Sequence, residues 1–182
     1  MDSPEYRTVR VVIDDDAIKR LDVWDVIDPA WWTADFWHGM DAYRDSVRAF
    51  SDHQQLMLSL LVYLSDVKNG GHELYLSAVF SNLYADALRG FLMLDLPACA
   101  DVLKASIRKL GAQFPTLATE RETQIAKQAI SFDDCDNDFF RLVNDLKVED
   151  KMTEFVRSNP SQFYFSGTIQ RIGDSSPSSN AE

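Results

Sequence analysis

"YLSDVKNGGHELYL", Tyr63–Leu76, joins two runs of helically spaced apolar residues through Asn69-Gly70-Gly71. Upstream, Leu56, Leu60, Tyr63, Leu64 and Val67 share one helical face. Met57 and Leu61 widen it, so this helix is expected to be buried on more than one side. Downstream, Leu76, Val79, Phe80, Leu83, Tyr84, Ala87, Leu88 and Phe91 keep the same period. Ser81-Asn82 is placed to cap a break inside that second run. Two helical runs meeting at a glycine pair make the chain mainly α. Gly70 or Asn69 is expected to take the left-handed conformation that ends a helix, with Asp66 and His72 fastening the corner by hydrogen bonds. A structural corner is favoured over a binding loop, because glycine most often does this work.

Outward from the corner the elements are shorter. "RTVRVVI", residues 7–13, is β-branched and strand-like. Asp14-Asp15-Asp16 ends it, and Asp16 is placed to cap a helix from Ala17. Pro29 interrupts the pattern begun by Ile18, Leu21, Val23 and Trp24. Four tryptophans, Trp24, Trp31, Trp32 and Trp37, fall within fourteen positions. They are read as a core anchor for the N-terminal segment rather than a ligand cage, since indoles turned inward bury much area. Pro97 opens a helix whose stripe is Val102, Leu103, Ile107 and Leu110, with Cys99 on the same face and Gly111 at its end. Thr119 and Glu122 fit a capping box for "ERETQIAKQAI". "FFRLVNDL" and "DKMTEFVRSN" read as short helices, the last closed before Pro160, and "QFYFSGTIQRI" reads as extended. The expected architecture is a single-domain helical bundle over residues 1–172, with about seven or eight helices and the two strand-like ends pairing as a small sheet. Residues 173–182, "GDSSPSSNAE", are read as a disordered polar tail.

The 182 residues suffice for one domain with a real core. Eighteen basic residues against 29 acidic ones give a net charge of −11. That excludes a DNA-binding surface, which needs a basic patch to displace counterions, and suits a basic partner. The excess is uneven. Residues 1–66 hold 13 acidic and 6 basic residues, and residues 131–150 hold 7 and 2. Asp14, Asp15, Asp16, Asp133, Asp134, Asp136 and Asp138 are therefore the candidate partner-binding residues. Cys99 and Cys135 are too few for a disulfide framework. The N-terminus has no apolar signal-peptide core, and the longest apolar run, Leu56–Leu64, is far shorter than the ~20 residues that span a bilayer. The reading is a cytoplasmic protein.

Catalytic and metal motifs fail on inspection. His72-Glu73 begins a zinc-protease motif, but position 76 is leucine where a second histidine must stand on the same helical face. His38 and His53 lie in other segments. "DDCDND", Asp133–Asp138, resembles a calcium loop until its sixth position, Phe139 in place of glycine, and its twelfth, Asp145 in place of glutamate. Carboxylates at a helix start, where they satisfy free N–H groups, explain it better. No nucleophile elbow, phosphate loop or dinucleotide fingerprint is present, so no enzyme activity, cofactor or metal is expected.

With these pieces in place the chain resembles the bacterial DNA-mimic protein family from about Val23 to Gly167. The likeness is carried by "VWDVIDPAWW", "FSDHQQLMLSLLVYLSDVKNGGH", "YADALRGF", "FDDCDNDFFRL" and "FVRSNPSQFYFSG". Its most specific element is an acidic-x-x-Asn-Gly-Gly-His core, here Asp66, Asn69, Gly70, Gly71 and His72. The resemblance implies a mostly helical, often dimeric fold without catalysis. It also implies a decoy role, in which an acidic surface occupies the DNA-binding site of a transcription factor. The chain departs from the family pattern at Leu74, where glutamine is usual, at Leu76, at Ser77-Ala78 in place of Asn-Ser, and at Asp66 in place of glutamate.

The charge permits such mimicry without demanding it. A compact chain of this size spans about 40 Å, a length of duplex carrying on the order of 24 phosphates, of which a partner meets half. A net −11 suffices only if concentrated on one face, and a dimer aligning two faces does better. The rival expectations are an interaction or immunity-type module that is not DNA-like, and a hydrolase built from scattered carboxylates and His72.

Overall fold

The computed structural model describes residues 6–172; the polar tail expected at 173–182 lies outside them. The fold is built around one long helical element, α4 (Asp52–Ser77). Ser51 starts it with a full capping box: the Ser51 hydroxyl accepts from the Gln54 N–H, and the Gln54 side chain accepts from the Ser51 N–H. The broad apolar surface seen in the sequence has its reason here. Met57, Leu58, Leu60, Leu61, Tyr63, Leu64 and Val67 are all fully or almost fully buried, because α4 is covered from several sides.

The other elements wrap this spine. β1 (Tyr6–Ile13) leads into α1 (Asp15–Arg20), α2 (Val23–Thr33) and α3 (Met40–Val47). After α4, a 3-10 turn at Val79–Leu83 leads to α5 (Tyr84–Met93), α6 (Pro97–Arg108), α7 (Ala118–Gln128), α8 (Asp133–Asp145) and α9 (Val148–Ser158), then β2 (Phe165–Ile172). Helices α2, α5, α7 and α8 all pack on α4. Gly90 lets α5 come close: a Cβ there would sit 2.7 Å from Leu60 Cγ and 3.2 Å from the Leu56 carbonyl. The two expected terminal strands do pair, antiparallel, with Val9 opposite Ile169 and Ile13 opposite Phe165. The chain is mainly α, with nine α-helices among the described residues. The one the sequence reading missed is α3, a short helix entered through Gly39 at φ +94.

Several local expectations are corrected. The α1 cap is Asp14, which accepts from the Ala17 N–H at 2.9 Å, and Asp16 lies inside the helix. Pro29 does not interrupt α2 but sits within it; Asp25, whose carbonyl would have taken the missing N–H, faces water. Thr119 and Glu122 form no capping box, because α7 begins at Ala118, one residue before Thr119, without a side-chain cap. The second apolar run breaks at Ala78, where α4 ends, rather than continuing to Ser81.

The end of α4 is held by Arg121, which is fully buried. Its Nε donates to the Leu76 carbonyl at 2.6 Å and its Nη2 to Ala78 at 2.7 Å, while Nη1 donates to Pro115 at 2.6 Å and Asn82 Oδ1 at 3.1 Å. A guanidinium here satisfies carbonyls that a helix terminus leaves without donors, and its charge faces the negative end of the helix dipole. Phe114 covers its other side, 4.9 Å from ring centroid to Cζ. Arg121→Met keeps the stem but leaves buried carbonyls unpaired. Its expected cost in urea unfolding is about 3 kcal/mol, and an unchanged midpoint would remove Arg121 from this role.

Candidate functional site

The Asn-Gly-Gly-His corner is a kink inside α4. Gly70 has φ −159 and ψ 20, and Gly71 has φ 72 and ψ −176. The positive φ therefore belongs to Gly71, not to Asn69 or Gly70 as expected. Two facts demand glycine at 71. L-residues rarely adopt that conformation, and a Cβ there would lie 2.5 Å from Asp136 Oδ2. The missing side chain is the space through which the first turn of α8 reaches α4.

Asp136 fills that space and binds His72 twice. Asp136 Oδ1 accepts from the His72 backbone N–H at 2.8 Å and lies 2.6 Å from His72 Nδ1. On its other side His72 Nε2 lies 2.8 Å from the Tyr63 hydroxyl. The partners fix the tautomer: Nδ1–H donates to the carboxylate and Nε2 accepts from the phenol. His72 is completely buried, and burial, opposed by the bond to Asp136, pulls its pKa below the ordinary imidazole value. A neutral ring is the form this site holds. Tyr63 is also fully buried, and burial raises its pKa. Its ring packs edge-on against Tyr75, Phe91 and Phe139, with centroids 5.0, 5.6 and 5.5 Å away. The order carboxylate, imidazole, hydroxyl is that of a hydrolytic relay, but this hydroxyl is sealed in the core and its proton is bound more tightly than usual. The geometry makes it a structural clasp.

Asp66 was expected to share that clasp and does not. Its Oδ2 is buried without a hydrogen-bond partner among the described residues, and burial pushes its pKa up to about 6. Asn69 is exposed on the outside of the kink.

The acidic candidates are mostly engaged within the chain. Asp14 caps α1, Asp15 accepts from the Tyr164 hydroxyl at 2.6 Å, and Asp16 faces Lys19 at 3.5 Å. Asp134 meets Lys109 at 2.6 Å, and Asp138 meets Arg141 at 2.8 Å. Asp133 is exposed and has no ion pair among the described residues. Asp136 points inward to the corner, so it contributes to architecture rather than to an open acidic face. The two segments are not adjacent in sequence, yet α9 packs against both α1 and α8 and brings exposed Asp150 and Glu154 with it.

The tryptophans depart furthest from expectation. Trp37 is 75 % exposed and Trp31 36 %; neither anchors the core. Trp24 and Trp32 are half-buried, and their indole N–H groups donate to Glu149 Oε1 and Asp28 Oδ1, each at 3.0 Å. Trp31, Phe36, Phe80 and Trp37 form one chain of ring contacts, with successive centroids 5.9, 5.0 and 5.4 Å apart. The dense aromatic run was visible in sequence; that it faces outward was not, because the helix face it occupies depends on where α2 lies on α4.

Cys99 and Cys135 are both free and buried. Among the described residues no group of His, Cys, Asp and Glu is assembled to hold a metal ion, and no helix is long and apolar enough to cross a membrane.

A family model described as DMP19-like protein matches residues 48–159, more than half of the chain. The match contains the corner and all of α4 to α9, and excludes the tryptophan segment and both strands. No curated protein and no solved structure matches.

Two measurements test the corner. Gly71→Ala is expected to cost at least ~2 kcal/mol in chemical unfolding, through backbone strain and loss of the Asp136 contact. Asp136→Asn should cost about 1–3 kcal/mol, while Asp133→Asn stays within ~0.5 kcal/mol; equal effects at 133 and 136 would show that the clasp carries no stability. For Asp66 the sign runs the other way. Its folded pKa is raised, so its ionisation opposes folding, and that penalty grows as pH rises from about 4 through about 6. Asp66→Asn is expected to stabilise the chain near pH 7.5 by roughly 1 kcal/mol, discounted because the group is partly exposed, and to change little near pH 4. A loss of stability at neutral pH would contradict this.

Proposed function

The chain belongs to the DMP19-like protein family, and from that membership we propose that it is a non-enzymatic, acidic protein-binding module whose partner is a basic, DNA-binding regulator. The single observation that carries the reading is the family match over the corner and α4–α9, in a family named for a DNA mimic. The net charge of −11 supports it, since a field of that sign steers and retains a cationic protein surface.

The local ion pairs do not oppose this role. Lys19, Lys109 and Arg141 neutralise carboxylates that remain well exposed, with Asp16, Asp134 and Asp138 side chains at 86, 69 and 56 %. Such pairs are worth at most about 1 kcal/mol and exchange readily for a partner's cations. In this reading Asp15, Asp16, Asp133, Asp134 and Asp138 are the contact residues. Asp136 is left to the corner. The outward Trp31 and Trp37 favour a second reading, an interaction module whose surface does not imitate DNA.

The tagged chain is used to capture partners from host lysate at low and high salt, with duplex DNA as competitor. The expected partner is basic and is displaced by both. A triple variant, Asp133→Lys, Asp134→Lys and Asp138→Lys, is expected to weaken capture about tenfold or more while the chain still unfolds in one cooperative transition, at a midpoint lowered only modestly by the lost helix-start charges and ion pairs. A partner indifferent to salt, to DNA and to the triple variant would replace mimicry with the second reading.

A further inference from the structure

We propose that the cleft between α2, the loop after it and the Tyr6–Ile172 end of the sheet binds an arginine-bearing segment of a protein partner. The cleft has a volume of about 340 Å³ and is lined by Trp31, Trp32, Trp37, Phe80 and Ile172. Trp31 and Trp32 also line a second hollow, of about 310 Å³, that Asp25 and Asp28 border. Soluble proteins seldom leave contiguous aromatic surface of this kind uncovered unless something binds it. Trp31 and Trp37 make no indole hydrogen bond among the described residues, whereas Trp24 and Trp32 do. Among the described residues, part of each ring, most of it for Trp37, is left exposed to a ligand.

Charge selects the ligand's chemistry. From Leu21 to Tyr43 the chain carries five carboxylates, Asp22, Asp25, Asp28, Asp35 and Asp41, and no lysine or arginine. Four of them are occupied: Asp28 by Arg171, Asp35 by His38 at 2.8 Å, Asp41 by Arg44 at 3.6 Å, and Asp22 by the Asp25 N–H at 3.1 Å. Asp25 is exposed, its carboxylate has no partner among the described residues, and it borders the same hollow as the exposed Trp31. An open indole face beside a free carboxylate is what a guanidinium fits. It stacks flat on the ring and grips the carboxylate through two N–H groups at once. Lysine satisfies only one of those demands well, and an acidic or purely apolar segment would strip water from Asp25 without replacing it. The inference rests on the reading that the partner is basic, and adds an anchor distinct from the acidic carboxylates of α8, with its tryptophans and Asp25 outside the segment that matches the family model.

The full chain is titrated by calorimetry, at physiological salt, with a short capped peptide alternating arginine and glycine, beside lysine–glycine and glutamate–glycine peptides. Saturable binding is expected for the arginine peptide, weaker binding for lysine and none for glutamate. Trp31→Ala with Trp37→Ala, and separately Asp25→Asn, are each expected to weaken the arginine peptide about tenfold. The triple reversal at Asp133, Asp134 and Asp138 should leave its affinity within about threefold. Trp37 is so exposed that its loss does not threaten folding. No saturable binding, or binding that the tryptophan variants leave unchanged, overturns the proposal. If in that case the triple reversal alone abolishes binding, the basic-partner reading survives without the cleft. A dimer in sedimentation that Trp37→Ala dissociates would assign the cleft to a second copy of the chain and overturn the proposal as well.

Discussion

Asp136 reaching through the space that Gly71 leaves open is the contact on which the arrangement of helices depends. It joins the kink of α4 to the first turn of α8, beside the packing of Phe139 on Tyr63 and His72. The carboxylate holds the first N–H after the kink and the His72 ring together. The ring in turn holds Tyr63, the residue around which Tyr75, Phe91 and Phe139 pack. A polar chain this deep is costly when incomplete and rigidifying when every member is paired. Here each step has its partner: carboxylate to amide and imidazole, imidazole to phenol, phenol within an aromatic shell. Just beyond the corner, at the C-terminus of α4, Arg121 performs the complementary task, supplying donors to carbonyls that the helix terminus leaves free.

The same contact divides the acidic residues into two kinds. Carboxylates of α8 look alike in sequence, because Asp133, Asp134 and Asp136 sit in the first turn, where negative charge is favourable, and Asp138 follows closely. Position on the helix separates them. Asp136 faces the core side with Cys135 and Phe139, while Asp133, Asp134 and Asp138 face water. Charge reversal at all four would confuse loss of fold with loss of binding. Restricting it to the outward three isolates the surface field, which is the property a basic partner senses.

Much of the fold was legible because it rests on periodicity. The broad stripe of Leu56 to Val67 announced a helix buried on more than one side, Pro97 and Gly111 marked the limits of α6 closely, and the β-branched ends pair as a two-stranded sheet. The importance of Asn-Gly-Gly-His was also legible. Its partner was not: Asp136 lies 64 residues from His72, and no local rule links a helix-start carboxylate to a distant imidazole. Arg121 was silent for a similar reason, since a buried arginine bonded to carbonyls has the same sequence signature as a solvated one. The tryptophans misled because hydrophobicity predicts burial only on average, and an outward aromatic face is the exception that binding surfaces exploit.

The clasp is tested most directly by the nitrogen chemical shifts of the His72 ring, read by long-range proton–nitrogen correlation across neutral and mildly acidic pH. The account predicts a neutral ring protonated on Nδ1, with a slowly exchanging proton held toward Asp136 and titration only below the ordinary imidazole value. A ring protonated on Nε2, or an imidazolium at neutral pH, would contradict the clasp and the division of carboxylates that follows from it.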